Sequence, residues 1–230
     1  MSVLAIIPAA GTGVRMGSGT PKQFLSLEGV PIFIHTLRKF ARSAVIDSID
    51  LGVRPEDMER VHKDLAREAV AKPIAVLAGG PTRQETVERA LAAAPPDTEI
   101  VVVHDAVRPF VGLDLLSRVV EAARRGGAAI LGIPSVDTVK QVELQMILGT
   151  IPRERIVLAQ TPQAFRYPLL RDAFANARQE GFMGTDESSL VERLGVNVTV
   201  LMGSDRNIKI TKPSDLPVAR LYLAQEAEQG

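Results

Sequence analysis

Cysteine is missing from all 230 residues. Its absence removes disulfides, thiolate metal sites and a cysteine nucleophile together. A reducing compartment suits such a chain, and cytoplasmic placement is expected. Net charge is missing too: 27 basic and 27 acidic residues cancel, leaving no global positive field for nucleic acid or an anionic membrane surface. Neither is expected as a partner, and any phosphate site must be local. Histidine is scarce: His35, His62 and His104 stand apart, with no HxH or HxxH pair to suggest zinc. Long apolar runs are absent as well. VLAIIPAA, near the N-terminus, has no basic residues before it and meets a proline too early for a signal or membrane segment, so it is expected to be a buried strand.

What is present is a hydrophobic content of 46% in a length that one domain can fill, so a single domain over 1–230 is expected. Short continuous apolar runs recur at Val3–Ile7, Ile49–Val53, Ile74–Leu77, Ile100–Val103, Ala128–Ile133 and Val198–Met202. Such runs suit strands covered on both faces. Between them lie segments of helical spacing: one opened by Pro31, then Glu56–Val70, Arg83–Ala94, Leu113–Arg125, Tyr167–Gln179, Glu187–Leu194 and Ser214–Glu226. Strand alternating with helix predicts an α/β fold with a doubly wound, mainly parallel sheet. In such sheets ligands sit beyond the carboxyl ends of the strands. From Val136 to Gln163 the alternation breaks, and a projecting β-arm with a turn near Leu148–Thr150 is expected. Its apolar Val142, Leu144, Met146 and Ile147 make pairing with a second copy, a homodimer through the arm, the expectation.

The first run leads into PAAGTGVRMGSGTPK. Gly11, Gly13 and Gly17 miss the dinucleotide spacing G-x-G-x-x-G, and the P-loop pattern G-x-x-x-x-G-K-[ST] is absent. Small Ala9, Ala10 and Gly11 still let backbone amides approach phosphate, and Arg15 and Lys22 add charge. A solvated loop whose glycines only turn the chain fits the same residues. Further strand ends carry polar groups too. GGPTRQETV places Gly79, Gly80, Arg83, Gln84 and Thr86 at a helix start, and HDAVRPF places Asp105 and Arg108 around Ala106. The latter pair alone could merely shape a loop. The last third adds Arg153, Thr161, Thr185, Asp186 and Lys209, the last set between two isoleucines. Arg15, Lys22, Arg108, Arg153 and Lys209 near one sheet edge would form a polyphosphate site despite zero net charge.

PAAGTGVRM with PKQF, GGPTRQETV, HDAVRPF, VDTVK, LAQTPQAF, GTDESS and NIKIT, in this order over nearly the whole chain, resemble the 2-C-methyl-D-erythritol 4-phosphate cytidylyltransferase family of the non-mevalonate isoprenoid pathway. The resemblance implies a Rossmann-like nucleotidyltransferase fold and transfer of CMP from CTP to the sugar phosphate, with magnesium held mainly by the CTP phosphates. It implies that Arg15, Lys22, Arg153 and Lys209 are the catalytic charges. Pro8, Ala9, Ala10, Gly11, Thr12, Gly13, Gly79, Gly80, Arg83, Thr86, Asp105 and Ala106 would bind CTP. Asp105, Arg108, Thr138, Arg153, Thr161, Thr185 and Lys209 would bind the sugar phosphate, with Thr138, Arg153 and Thr161 coming from a partner's arm. No metal ligands are assigned in the protein, although Asp105 stands nearest to that role. Two positions depart from the family: Thr86 replaces its usual serine, and Val107 a frequent alanine. A ribitol-5-phosphate cytidylyltransferase, with the same nucleotide site and another acceptor, is the neighbouring alternative. A non-catalytic CTP-binding protein is the more distant one.

Overall fold

The computed structural model describes residues 2–11 and 21–229. β1 (Ser2–Pro8) carries the first apolar run, and both of its faces are covered: Val3, Ala5 and Ile7 enter one hydrophobic layer, Leu4 and Ile6 the other. That two-sided burial is why the run shows no alternation. A small hairpin of β2 (Ser26–Leu27) and β3 (Val30–Pro31) follows, and Pro31 caps α1 (Ile32–Arg42). The chain then alternates through β4 (Ser48–Val53), α2 (Met58–Leu65), β5 (Ile74–Ala78), α3 (Arg83–Ala92), β6 (Thr98–Val103), α4 (Leu113–Gly126) and β7 (Ala128–Pro134). After a hairpin of β8 (Val139–Glu143) and β9 (Met146–Ile151) come β10 (Val157–Arg166), α5 (Tyr167–Glu180), α6 (Glu187–Arg193), β11 (Thr199–Met202) and α7 (Asp215–Gln229).

Among the described residues the main sheet has the order β11-β7-β10-β6-β1-β4-β5. β1 pairs in parallel with β4 and β6, as do β4 with β5 and β7 with β11. β10 runs antiparallel between β6 and β7. The expected doubly wound, mainly parallel sheet is therefore present. One layer of the core takes Phe33, Leu37 and Phe40 from α1 and Leu116, Val119 and Val120 from α4; the other takes Val87 from α3, Leu170 and Phe174 from α5 and Leu190 from α6. Each such side chain, fully buried, contributes about 1.5–3 kcal/mol.

Three boundaries differ from the sequence reading. The arm is shorter than 136–163, because Val157–Gln163 belong to β10 and fill a gap in the main sheet. Its hairpin turns at Leu144–Gln145, both at positive φ (47° and 67°), rather than near Gly149. The stretch Glu56–Val70 holds only the short α2, preceded by a 3-10 turn over Pro55–Asp57. Val142, Leu144, Met146 and Ile147 are exposed on the hairpin, as expected of an arm.

Asp50 is buried on β4 between Ile49 and Leu51. Burial pushes its carboxyl up to about 6. The unfolded value is about 3.9, so ionisation above pH 6 costs the folded state about 3 kcal/mol, and the cost disappears below about pH 4 where both states are protonated. Asp50→Asn is therefore expected to stabilise the protein by about 1–3 kcal/mol at pH 8 and to leave it unchanged at pH 4, as read by urea unfolding at the two values. A gain that does not shrink with falling pH would point to packing instead of charge.

Candidate active site

The strand order places β1 beside both β4 and β6, the position where an open α/β sheet opens a crevice at its carboxyl edge. Three strand ends meet there. Ala9 N donates to Gly52 O at 2.7 Å, which turns the chain out of β1. Gln23 then clamps the loop: its Nε2 donates to Ala9 O at 2.7 Å and to Gly11 O at 2.9 Å. From the end of β5, Gly79 packs so closely that a Cβ there would lie 2.6 Å from the Ala10 Cβ. The α3 start is closed by Thr82, whose hydroxyl accepts from Glu85 N. Thr86, one turn into α3, accepts from Gly80 N at 3.0 Å and donates to Thr82 O at 2.8 Å. Its hydroxyl thus fixes the diglycine loop while it lines the cavity with Ala9, Ala10, Gly11, Lys22 and Asp105.

Asp105 is the electrostatic centre. Its Oδ1 lies 3.3 Å from Arg83 Nε, and its Oδ2 lies 2.9 Å from Lys209 Nζ and 3.3 Å from Arg108 Nε. Burial pushes this carboxyl up, but Arg83, Lys209 and Arg108 outweigh it and hold it far below the ordinary carboxylate range. Arg83 also makes a bidentate pair with buried Glu187, at 2.8 and 2.9 Å. Three cations thus share two carboxylates, and the cluster keeps one positive charge for an anion. Lys209 reaches it because Ile210 is anchored beside it in a third apolar cluster with Val107 and Phe110. Ile210 N also donates to Val107 O at 2.9 Å.

A second cavity abuts the first. Arg83, Asp105 and Lys209 border both, and Arg108, Thr161 and Thr185 border the second. Between α3 and the Thr185 segment, Gln84 Nε2 donates to Phe182 O at 3.2 Å and Gln84 Oε1 accepts from Gly184 N at 2.8 Å. Behind the cluster lies His104, wholly buried. Burial lowers its pKa to about 4, so the ring is neutral at neutral pH. Its Nε2 faces Arg108 O at 2.9 Å. A carbonyl only accepts, so Nε2 carries the proton and Nδ1 accepts from Thr161 Oγ1 at 3.1 Å. Thr161 Oγ1 accepts in turn from Asp105 N at 3.0 Å.

A cavity of small-residue loops and clustered cations beside a second polar cavity suits transfer from a nucleoside triphosphate to another anion. The family model described as 2-C-methyl-D-erythritol 4-phosphate cytidylyltransferase matches residues 3–225. The chain belongs to that family. It is 53% identical to the cytidylyltransferase of Solibacter usitatus, with 100% of this chain and 99% of the relative covered, and 51% identical to that of Acidobacterium capsulatum over all of both chains. Its fold is similar to the crystal structure of 4-diphosphocytidyl-2C-methyl-D-erythritol synthase from Anaerococcus prevotii, with TM-score 0.86, 32% identity and 97% and 96% of the two chains covered. The corresponding Thermus thermophilus structure gives TM-score 0.78 at 37% identity, with 96% and 98% covered.

In this cytidylyltransferase the residues expected at the site divide into four groups, of which Arg108, Thr161 and Thr185 border the second cavity. Pro8, Ala9, Ala10, Gly11, Lys22, Gly80, Arg83, Thr86, Asp105, Ala106 and Lys209 come together around the first cavity, with Gly79 packed behind it. Thr138 and Arg153 are exposed on the arm and border neither cavity of their own chain; Arg153 Nη1 donates to Val136 O at 2.8 Å. Thr12, Gly13 and Arg15 lie outside the described residues. Thr161 is corrected: it stands on β10 of the main sheet rather than on the arm, and its hydroxyl is committed to His104 and Asp105. Val107 turns into the apolar cluster and the first cavity and does not border the second. Sequence reasoning missed Gln23, Gln160, Gln163 and Glu187 as site residues. All four are buried polar side chains inside the motifs PKQF, AQTPQ and TDESS, and only the structure shows that burial.

Proposed function

We propose that this chain transfers CMP from CTP to 2-C-methyl-D-erythritol 4-phosphate, releasing pyrophosphate. The observation that carries this reading is the pair of abutting cavities that share Arg83, Asp105 and Lys209, together with family membership over residues 3–225. CTP would occupy the first cavity, with its triphosphate toward the β1 loop and Lys22, and the sugar phosphate the second. The acceptor is already an anion, so in-line attack on the α-phosphorus needs no strong base. Its barrier falls by alignment and by charge stabilisation. His104, buried and neutral with its Nε2–H donated to Arg108 O, has no part in proton transfer.

Magnesium enters this reading with the substrate, as the complex with CTP. Among the described residues no group of three or more His, Asp or Glu is placed to hold a metal, and the Asp105 carboxylate is committed to three cations. A resident ion does not fit that donor set. Cytoplasmic placement suits the cysteine-free chain. No helix among the described residues is long and apolar enough to cross a membrane.

The exposed apolar arm supports a homodimer in which each arm lends Thr138 and Arg153 to the other copy's acceptor cavity. Pyrophosphate release from CTP is expected with methylerythritol phosphate, and turnover with ribitol 5-phosphate alone would overturn the choice of acceptor. Lys22→Ala and Arg153→Ala variants, each inactive, are expected to regain about a quarter of full activity when refolded together in equal amounts, because half of the dimers then carry one intact site. No recovery would place Arg153 in its own subunit's site.

A further inference from the structure

β10 is the antiparallel strand of an otherwise parallel sheet, and at its centre the pairing with β7 slips between Gln160 and Gln163. Such bulges re-aim side chains. Here they aim three polar side chains at three different loops. Gln160 Nε2 donates to Ser204 O at 2.9 Å, and its Oε1 accepts from Asn207 Nδ2 at 3.2 Å. This ties down the loop that leads to Lys209, and its Asn207 O accepts from Arg108 Nη1 at 2.7 Å. Thr161 Oγ1 accepts from Asp105 N and donates to His104 Nδ1, so it fixes both ends of the turn out of β6 through the His104–Arg108 link. Gln163 Nε2 donates to Asp186 Oδ2 at 2.7 Å, and its Oε1 accepts from Ser188 N at 3.1 Å. That holds the start of α6, next to Thr185 and Glu187. All three side chains are buried, at 6%, 5% and 1% exposure.

We infer that Gln160, Thr161 and Gln163 form a positioning hub, in which one strand sets the register of the three loops that carry Lys209, Asp105 with Arg108, and Thr185 with Glu187. The inference rests on the functional reading above for its kinetic consequences. None of the three needs to touch a reacting atom. An apolar strand at this place would support the sheet equally well but leave the loops without a common reference. Gln160, Thr161 and Gln163 are each hydrogen-bonded through donor and acceptor alike, and such buried bonds fix one arrangement among several compact ones; within the network only Asn207 Oδ1 has no partner among the described residues.

Two kinds of measurement test it. In steady-state assays with CTP and methylerythritol phosphate, Thr161→Val is expected to lower kcat by about 100-fold, the scale of a misplacement near 1 Å, while Thr161→Ser stays within about threefold because it keeps the hydroxyl. Gln163→Met is expected to raise KM for the sugar phosphate about tenfold and KM for CTP by less, since it loosens the Thr185 side directly and reaches the first cavity only through Glu187 and Arg83. Thr161→Val raising the acceptor KM at unchanged kcat would identify a direct ground-state contact and overturn the inference. Amide hydrogen exchange in the substrate-free protein reads the hub independently of activity. Faster exchange is expected at Asp105 in Thr161→Val and at Ser188 in Gln163→Met, and protection at the wild-type level would overturn the inference even if turnover fell. Should Thr161→Val not fold, Gln163→Met still decides by its Ser188 amide. A wild-type chain without turnover would refute the function and leave the exchange result to judge the hub.

Discussion

Asp105→Ala is expected to destabilise the protein by about 3–5 kcal/mol at pH 7, the cost of removing one partner from a buried ionic cluster. The carboxylate is the shared counter-ion of Arg83, Arg108 and Lys209, all within 3.3 Å. Without it, two of the three cations have no carboxylate partner among the described residues, and only Arg83 retains one, in Glu187. The pH dependence follows from the sign of the shift. The folded pKa lies far below the unfolded value of about 3.9, so the stabilisation is fully present above about pH 5 and is lost only as pH falls through the folded pKa. The deficit of the variant should therefore be flat between about pH 5.5 and 8, unlike the gain from Asp50→Asn, which varies over that range. The unpaired cations should also make the variant more sensitive to anions. Pyrophosphate in the millimolar range is expected to raise its melting temperature by more than it raises that of the wild type, because binding to the folded state alone stabilises it by mass action. Equal shifts in the two proteins would mean that the cations turn away from the cavity once Asp105 is gone.

The fold was legible where burial wrote it into composition. The apolar run at Val3–Ile7 became β1 and that at Ile100–Val103 became β6, because both faces of each strand are covered. β10 was not legible as a core strand. Its middle reads Gln-Thr-Pro-Gln, and proline with polar residues argues against a central strand; the bulge absorbs the proline and gives the polar side chains buried partners. The hairpin turn was misread for a related reason: Gly149 invites a turn, yet Leu144 and Gln145 adopt positive φ and form it. At the site, charge and small residues at strand ends identified the residues around the first cavity. The supporting shell stayed hidden, because Gln23, His104 and Gln163 act through partners many positions away, as in the link from His104 to Thr161. Sequence spacing carries no trace of such contacts.

Lys22→Ala is expected to lower kcat by about 10²–10³-fold, the range for loss of one preorganised charge-stabilising group, while CTP affinity falls by less than about fivefold. The difference comes from when the charge is needed. In the proposed arrangement CTP meets the backbone of the Ala9–Gly11 loop and the other cations of the cavity as well, so one ammonium adds little to ground-state binding. As the acceptor oxygen approaches the α-phosphorus, charge shifts onto the α-phosphate oxygens and the departing pyrophosphate, and a fixed cation then contributes most. The local structure fixes the backbone that carries Lys22. It opens a 3-10 turn directly after Pro21, whose φ of −57° is set by its ring, and its neighbour Gln23 ties that turn to Ala9 O and Gly11 O. Calorimetric titration of CTP alone, set beside single-turnover rates with saturating methylerythritol phosphate, separates the two contributions. Lys22→Arg should recover part of the rate, since it restores the charge but not the compact ammonium. Equal losses in affinity and rate would instead make Lys22 a ground-state ligand of the triphosphate and move the burden of charge stabilisation to Lys209 and Arg83.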